Sequence, residues 1–119
     1  MGILNERLHG FLDLVTVTVF VLAPFVFGLG GYVAAVAWGL AAVHLLMTLF
    51  TRFPLGIVKV IPFPIHGAVE LIVGIVLVLA MPRLLHAGPD SPARTFFVGA
   101  GAAILFVWVL TRYRESARP

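Results

Sequence analysis

Apolar residues run along this chain in long blocks and not in alternation. Four blocks can be cut from it, 8–29, 32–51, 64–85 and 93–113, each close to the roughly 20 residues a helix needs to cross ~30 Å of hydrocarbon. The first closes at Gly28-Leu29-Gly30-Gly31, where glycine supplies the backbone conformations that end a helix. The second stops before Arg52-Phe53-Pro54. Pro62 and Pro64 stand at the entrance of the third, where a missing N–H costs little. The polar stretch from His86 to Pro92 separates the third from the fourth. Membrane-barrel strands would alternate with period two, and these blocks do not. The pattern therefore predicts an all-α polytopic membrane protein with four transmembrane helices, a single bundle over 1–119.

The pattern also repeats. Leu8-His9-Gly10-Phe11-Leu12-Asp13-Leu14 matches Ile65-His66-Gly67-Ala68-Val69-Glu70-Leu71 at an offset of 57, and the register runs on to Leu22-Ala23 against Leu79-Ala80. After a three-residue insertion the offset is 60, so that Gly39 meets Gly99 and Thr51-Arg52-Phe53 meets Thr111-Arg112-Tyr113. We read a tandem duplication of a two-helix hairpin: repeat one 8–53, an interfacial linker 54–64, and repeat two 65–113. Two hairpins that each cross twice share one orientation, which implies a pseudo-twofold axis along the membrane normal.

Composition narrows the class. Of 119 residues, 61% are hydrophobic and 11% charged, with a mean hydropathy of +1.12, against about 25% charged in soluble domains. A cytosolic enzyme, a nucleic-acid reader and a secreted scaffold are all disfavoured, because so few charges cannot solvate a globule this apolar. The pI of 10.2 accompanies a net charge of only +3, which is what flanking basic residues contribute in a membrane protein. The lipid bilayer is the expected environment, and no nucleic acid is expected as a partner. Cysteine is absent, which excludes disulfides, thiolate catalysis, Cys-ligated zinc and iron–sulfur clusters. No small-residue cleavage site follows the first block, so it reads as a retained span and not as a signal peptide. Arg7, Arg52, Lys59, Arg112, Arg114 and Arg118 fall at one end of the bundle, and only Arg83 and Arg94 at the other. The positive-inside rule then places both termini and the middle linker in the cytoplasm of a multi-pass cell-membrane protein. The linker is apolar and is expected to lie in the interface, with Lys59 reaching headgroups.

Candidate chemistry sits in five residues. His9 and Asp13 are four apart, as are His66 and Glu70, so each imidazole shares a helical face with a carboxylate one turn away. An aspartate inside a span costs at least ~2.5 kcal/mol at the membrane centre and is retained where it faces the interior with a partner. His44 is placed at similar depth and heads the stripe His44, Thr48, Arg52; its repeat mate is Ile104. Thr16 extends the polar track inward. Structural roles compete: interfacial histidines bonded to headgroups, or Asp13 as interhelical glue. Taken together, His9, Asp13, His44, His66 and Glu70 predict a cytoplasm-facing intramembrane site for a metal ion, haem or a protonatable ligand, or a proton relay. Imidazole and carboxylate without sulfur suit Fe, Mn, Zn or Cu(II). Two other classes stay open: an accessory subunit, with a homo-oligomer or a larger membrane complex as partner, and a lipid-phase acid/base enzyme acting on a small apolar ligand.

Weaker features complete the reading. Gly99, Gly101, Ala102 and Ala103 suit close helix packing, as do Ala34, Ala35, Ala37, Gly39, Ala41 and Ala42. Tyr32, Trp108 and Tyr113 fit interfacial belts, and Trp38 lies deeper. His86 is expected in the outer loop, solvated.

Val21-Leu-Ala-Pro-Phe-Val-Phe-Gly28 resembles the signature of the SPW-repeat membrane family, with Ala23-Pro24-Phe25 at the position of its Ser-Pro-Trp element. Leu79-Ala80-Met81-Pro82 is a more degraded copy, and Gly74 is similar to the family's mid-helix glycine. Neither copy contains the triplet itself. The resemblance implies a helical bundle and no particular activity. Size and the first-helix acid are also similar to the small multidrug resistance family, but the duplication and the basic bias depart from it.

Overall fold

The computed structural model describes residues 4–52, 54 and 56–111. Four helices dominate it: α1 (Glu6–Val26), α2 (Gly31–Leu49), α3 (Phe63–Leu84) and α4 (Pro92–Leu110). All four are long and apolar enough to cross a membrane. Among the described residues there is no strand, only two isolated bridges. The spans start one or two residues earlier than hydropathy suggests and end one to three residues sooner, because caps and not hydropathy set helix ends. Asn5 Oδ1 accepts the Leu8 N–H at 2.9 Å and Glu6 occupies the first turn of α1, both favourable at a helix N-terminus. Arg112, Tyr113, Arg114 and Arg118 lie outside the described residues, as do Phe53 and Leu55 of the linker.

The first helix of each hairpin ends in the same way. After α1, Gly28 takes φ +67° and the Leu29 N–H reaches the Pro24 carbonyl at 2.9 Å. After α3, His86 takes φ 53° and the Ala87 N–H reaches the Pro82 carbonyl at 2.8 Å. Both are Schellman closures. They stand 58 residues apart, one more than the offset between His9 and His66. Between His66 and that closure, residues 76–80 of α3 form a π turn with Met81 N–H bonded to Val76 O. A π turn holds one more residue than an α-turn and still keeps its backbone hydrogen bonds, a requirement that is strict in lipid.

α1 packs chiefly on α2, and α3 on α4. The second pair meets backbone to backbone at Gly74 and Gly101: a Cβ on Gly101 would lie 2.8 Å from Leu77 Cβ and 2.9 Å from Gly74 O. Gly99, expected to share this role, has open space around it, and Ala102 and Ala103 are exposed. On α2 the packing face is Ala34, Ala37 and Ala41, while Ala35, Gly39 and Ala42 look outward.

Two layers fill the space between the hairpins. Toward the short connecting loops the layer is aromatic: Phe96 packs against Phe20 and Phe27 at 5.3 Å and against Phe97 at 5.0 Å. Toward the other end it is polar, with His9, Asp13, His66 and Glu70 buried. Outside, Phe25 is 74% and Phe106 66% exposed. Carboxylates within and phenylalanines without reverse the arrangement of a water-soluble protein and match a hydrocarbon solvent. At the polar end, Leu4 N–H bonds Leu110 O at 2.8 Å, and Ile61 N–H bonds Phe50 O at 2.8 Å. Each ties the segment before one hairpin to the end of the other's second helix. Ile57, Val58, Lys59 and Val60 of the linker are exposed.

Candidate functional site

The i, i+4 spacing on α1 and α3 brings His9 and Asp13, and His66 and Glu70, onto inward faces at one depth, and His44 enters from α2. All five side chains meet. His66 Nε2 lies 2.7 Å from Glu70 Oε1 and 3.0 Å from Asp13 Oδ2. His9 Nε2 lies 3.1 Å from Glu70 Oε1 and 3.2 Å from Asp13 Oδ1. His44 Nε2 is 3.3 Å from Asp13 Oδ1 and 3.7 Å from Glu70 Oε1. Each carboxylate thus serves histidines of both hairpins, and donor atoms of His9, Asp13, His66 and Glu70 all fall within 4.8 Å of one another. His9 and His66 are fully buried, Asp13 and Glu70 nearly so, and His44 sits slightly nearer the surface.

Two residues not identified as candidates from sequence complete the arrangement. Thr111 Oγ1, at the end of α4, lies 2.8 Å from His9 Nδ1, and Thr51 Oγ1, after α2, lies 2.7 Å from His66 Nδ1. Each hydroxyl also bonds a carbonyl of its own helix, Val107 O and Met47 O. A hydroxyl has a single proton. Donated to the carbonyl, it leaves the oxygen to accept from the imidazole, so Nδ1 of both histidines carries hydrogen and Nε2 is directed at the carboxylates. Their signal in the sequence was the paired Thr-Arg-aromatic motif, whose partner helix only the fold reveals.

This arrangement has an electrostatic consequence. With Nδ1 protonated, a neutral imidazole points the Nε2 lone pair at carboxylate oxygens about 3 Å away, and the approach of lone pairs is repulsive unless a cation lies between them. That cation is a proton on each nitrogen or a metal ion among them. Asp13 Oδ2, buried and within ion-pair distance of His66, accepts no hydrogen bond in this geometry, which leaves it available to a cation. A first-row ion holding adjacent donors at ~2.1 Å sets those donors ~3.0–3.4 Å apart. Most of the observed separations lie in or near that interval, so the cluster can hold a metal. Phe63 closes the site from the linker side, its ring 5.3 Å from that of His9 and 6.0 Å from that of His66.

Other polar residues of the sequence reading do not join. Thr16 and Thr48 turn their hydroxyls to Leu12 O and His44 O, the helix carbonyls one turn back. Arg52 is exposed, and His86 lies exposed at the opposite end of the bundle.

Two seams between the hairpins lead to the cluster. Between α1 and α4 lies a cavity of about 220 Å³ that reaches Asp13, His44 and Glu70. Between α2 and α3 the corresponding space is about 20 Å³. No protein-family model, curated protein or solved structure matches this chain.

Proposed function

We propose that this is an integral membrane protein whose buried His/carboxylate layer binds one divalent first-row transition-metal ion on the cytoplasmic side. The observation that carries the reading is the aim of three imidazole nitrogens at two carboxylates, with Nδ1 of His9 and His66 anchored on threonine hydroxyls. Hydrogen bonding at the far nitrogen of a metal-ligating histidine fixes its tautomer and orientation. Two carboxylates and a divalent ion sum to zero charge, which is the neutrality a low-dielectric interior requires. A donor set of nitrogen and oxygen without sulfur, more than four strong, suits Mn or Fe better than a closed tetrahedral zinc site. His9, Asp13, His66 and Glu70 form the inner set, with His44 as a longer fifth ligand.

The same geometry weighs against the other ligands considered. Donors within 4.8 Å of one another enclose an ion and leave no gap for a macrocycle plane. A transmembrane proton relay needs polar groups continuing inward, and beyond Thr16 the described interior is Phe20, Ala37, Ala41, Leu77, Phe96 and Phe97. Cytoplasmic placement is supported by the basic bias of the sequence, of which Arg7, Arg52 and Lys59 are described and lie at the cluster's end of the bundle, against Arg83 and Arg94 at the other. Tandem duplication is supported by the crossed pairs His9–Thr111 and His66–Thr51, the paired Leu4–Leu110 and Ile61–Phe50 bonds and the two Schellman closures.

Elemental analysis of protein purified without chelator tests the proposal. About one equivalent of Mn, Fe or another first-row metal is expected, lost in Asp13→Asn and Glu70→Gln variants that still fold. Protein that stays metal-free after incubation with each ion would overturn it and leave the accessory-subunit reading.

A further inference from the structure

The two seams are built from matching positions, yet only one is open. In the closed seam Leu40, Val43 and Met47 of α2 face Val69 and Val73 of α3. In the open seam the corresponding α4 positions, 60 residues on, are Ala100, Ala103 and Val107, and the α1 positions, 57 residues back, are Leu12 and Thr16. Three larger side chains on one side and three smaller ones on the other account for the difference between about 20 and about 220 Å³. For scale, an engineered apolar cavity of ~150 Å³ takes up benzene.

The open seam is amphipathic. Its mouth is formed by residues on the lipid-exposed surface, Val15, Val19 and Ala103. Its polar residues are Thr16, Asp13, His44 and Glu70. Donor and acceptor accounting identifies the complement. Thr16 spends its one hydroxyl proton on Leu12 O, so its oxygen is left as an acceptor, and the carboxylates are acceptors when ionised. A negatively charged head would bring an uncompensated charge into a low-dielectric layer, whether Asp13 and Glu70 are ionised or already balanced by a divalent ion. A neutral head carrying a hydrogen-bond donor would not.

We propose that this cavity admits from the bilayer a neutral, hydroxyl-headed apolar molecule, a long-chain alcohol or a substituted phenol, with its hydroxyl at the His/carboxylate cluster and its body between α1 and α4. The inference rests on the proposed metal site only for what the hydroxyl meets. The cavity and its acceptors are features of the chain itself.

Photo-crosslinking in nanodiscs tests it. A diazirine-bearing dodecanol should label residues 15–19 and 100–107 above the lipid-facing background, and a dodecanoate probe of equal length should not. The variant Ala100→Leu/Ala103→Val/Val107→Met installs the side chains that already pack the opposite seam. It should lower labelling about tenfold, the scale of overpacking a filled site, while its metal content and melting temperature stay at the wild-type level. Should that variant fail to fold, Thr16→Val, which places the residue of the closed seam, is expected to reduce alcohol labelling relative to an alkyl diazirine of the same length. Labelling that is spread over Phe25 and Phe106 and is unchanged in the variants would overturn the inference, as would equal labelling by dodecanoate. Wild-type protein that labels in the seam but holds no metal would support the cavity and sink the metal centre instead.

Discussion

Thr111 and His9 lie 102 residues apart and meet at 2.8 Å, the hydroxyl of one hairpin on the imidazole of the other. Thr51 and His66 make the reciprocal contact at 2.7 Å. Because each threonine is bound to its own helix carbonyl, the position of α4 sets the orientation of a ring on α1, and that of α2 sets a ring on α3. The candidate site is therefore also the clasp between hairpins that elsewhere meet mainly through apolar side chains.

Thr111→Val and Thr51→Val should test this clasp. Valine keeps the β-branched shape and removes the acceptor, so each imidazole loses its tautomer control. Metal affinity is expected to fall about 10–100-fold in each variant, measured by competition with a chromophoric chelator, with Thr→Ser substitutions retaining most of it. Wild-type affinity in the valine variants would show that the hydroxyls do not tune the ligands.

Acid should empty the site. Imidazoles and carboxylates bind a metal only when deprotonated, so metal content followed by elemental analysis after gel filtration should fall as pH falls, with a lower midpoint when free metal is raised. His44→Ile, which places the residue found at position 104, should weaken loading less than His9→Ala or His66→Ala, since His44 stands 3.3 and 3.7 Å from the carboxylates. Loading insensitive to pH between 4 and 8 would contradict ligation by these groups.

Gly101 and Gly99 form a matched pair of tests for the α3–α4 contact. A methyl group on Gly101 meets Gly74 O and Leu77 Cβ at under 3 Å, whereas one on Gly99 meets nothing within 4 Å. Gly101→Ala should cost about 1–3 kcal/mol by overpacking, and Gly99→Ala should leave thermal stability in detergent unchanged or slightly raised. Equal melting temperatures for the two variants would show that the helices are not in backbone contact.

His86 holds a left-handed conformation, φ 53°, at the position where α1 is followed by Gly28. A non-glycine residue there costs about 1 kcal/mol or more. His86→Gly should therefore raise stability by roughly that amount without altering metal content, and Gly28→Ala should lower it by a similar amount. A destabilised His86→Gly variant would instead reveal a role for the imidazole.

Hydropathy alone determined the four spans, because in hydrocarbon a helix must satisfy its backbone internally and stay apolar over ~30 Å. The His-x-x-x-acid spacing likewise determined that His9 with Asp13 and His66 with Glu70 share inward faces. Helix ends shifted by one to three residues, because capping by Asn5 and the Schellman turns is a property of local angles and not of hydrophobicity. The tertiary structure alone decided which helix crosses to which. Thr51 and Thr111 are ordinary helix-end threonines until the hairpins pair crosswise, and nothing local records that pairing. The inequality of the two seams was also beyond local reading. Ala103 reads as a packing residue along the chain, and becomes a cavity wall together with Ala100 only where the fold sets α4 opposite Leu12 and Thr16 of α1. Sequence reports what each helix presents on its faces, whereas the volume enclosed between faces depends on backbone positions that every side chain in the bundle sets together.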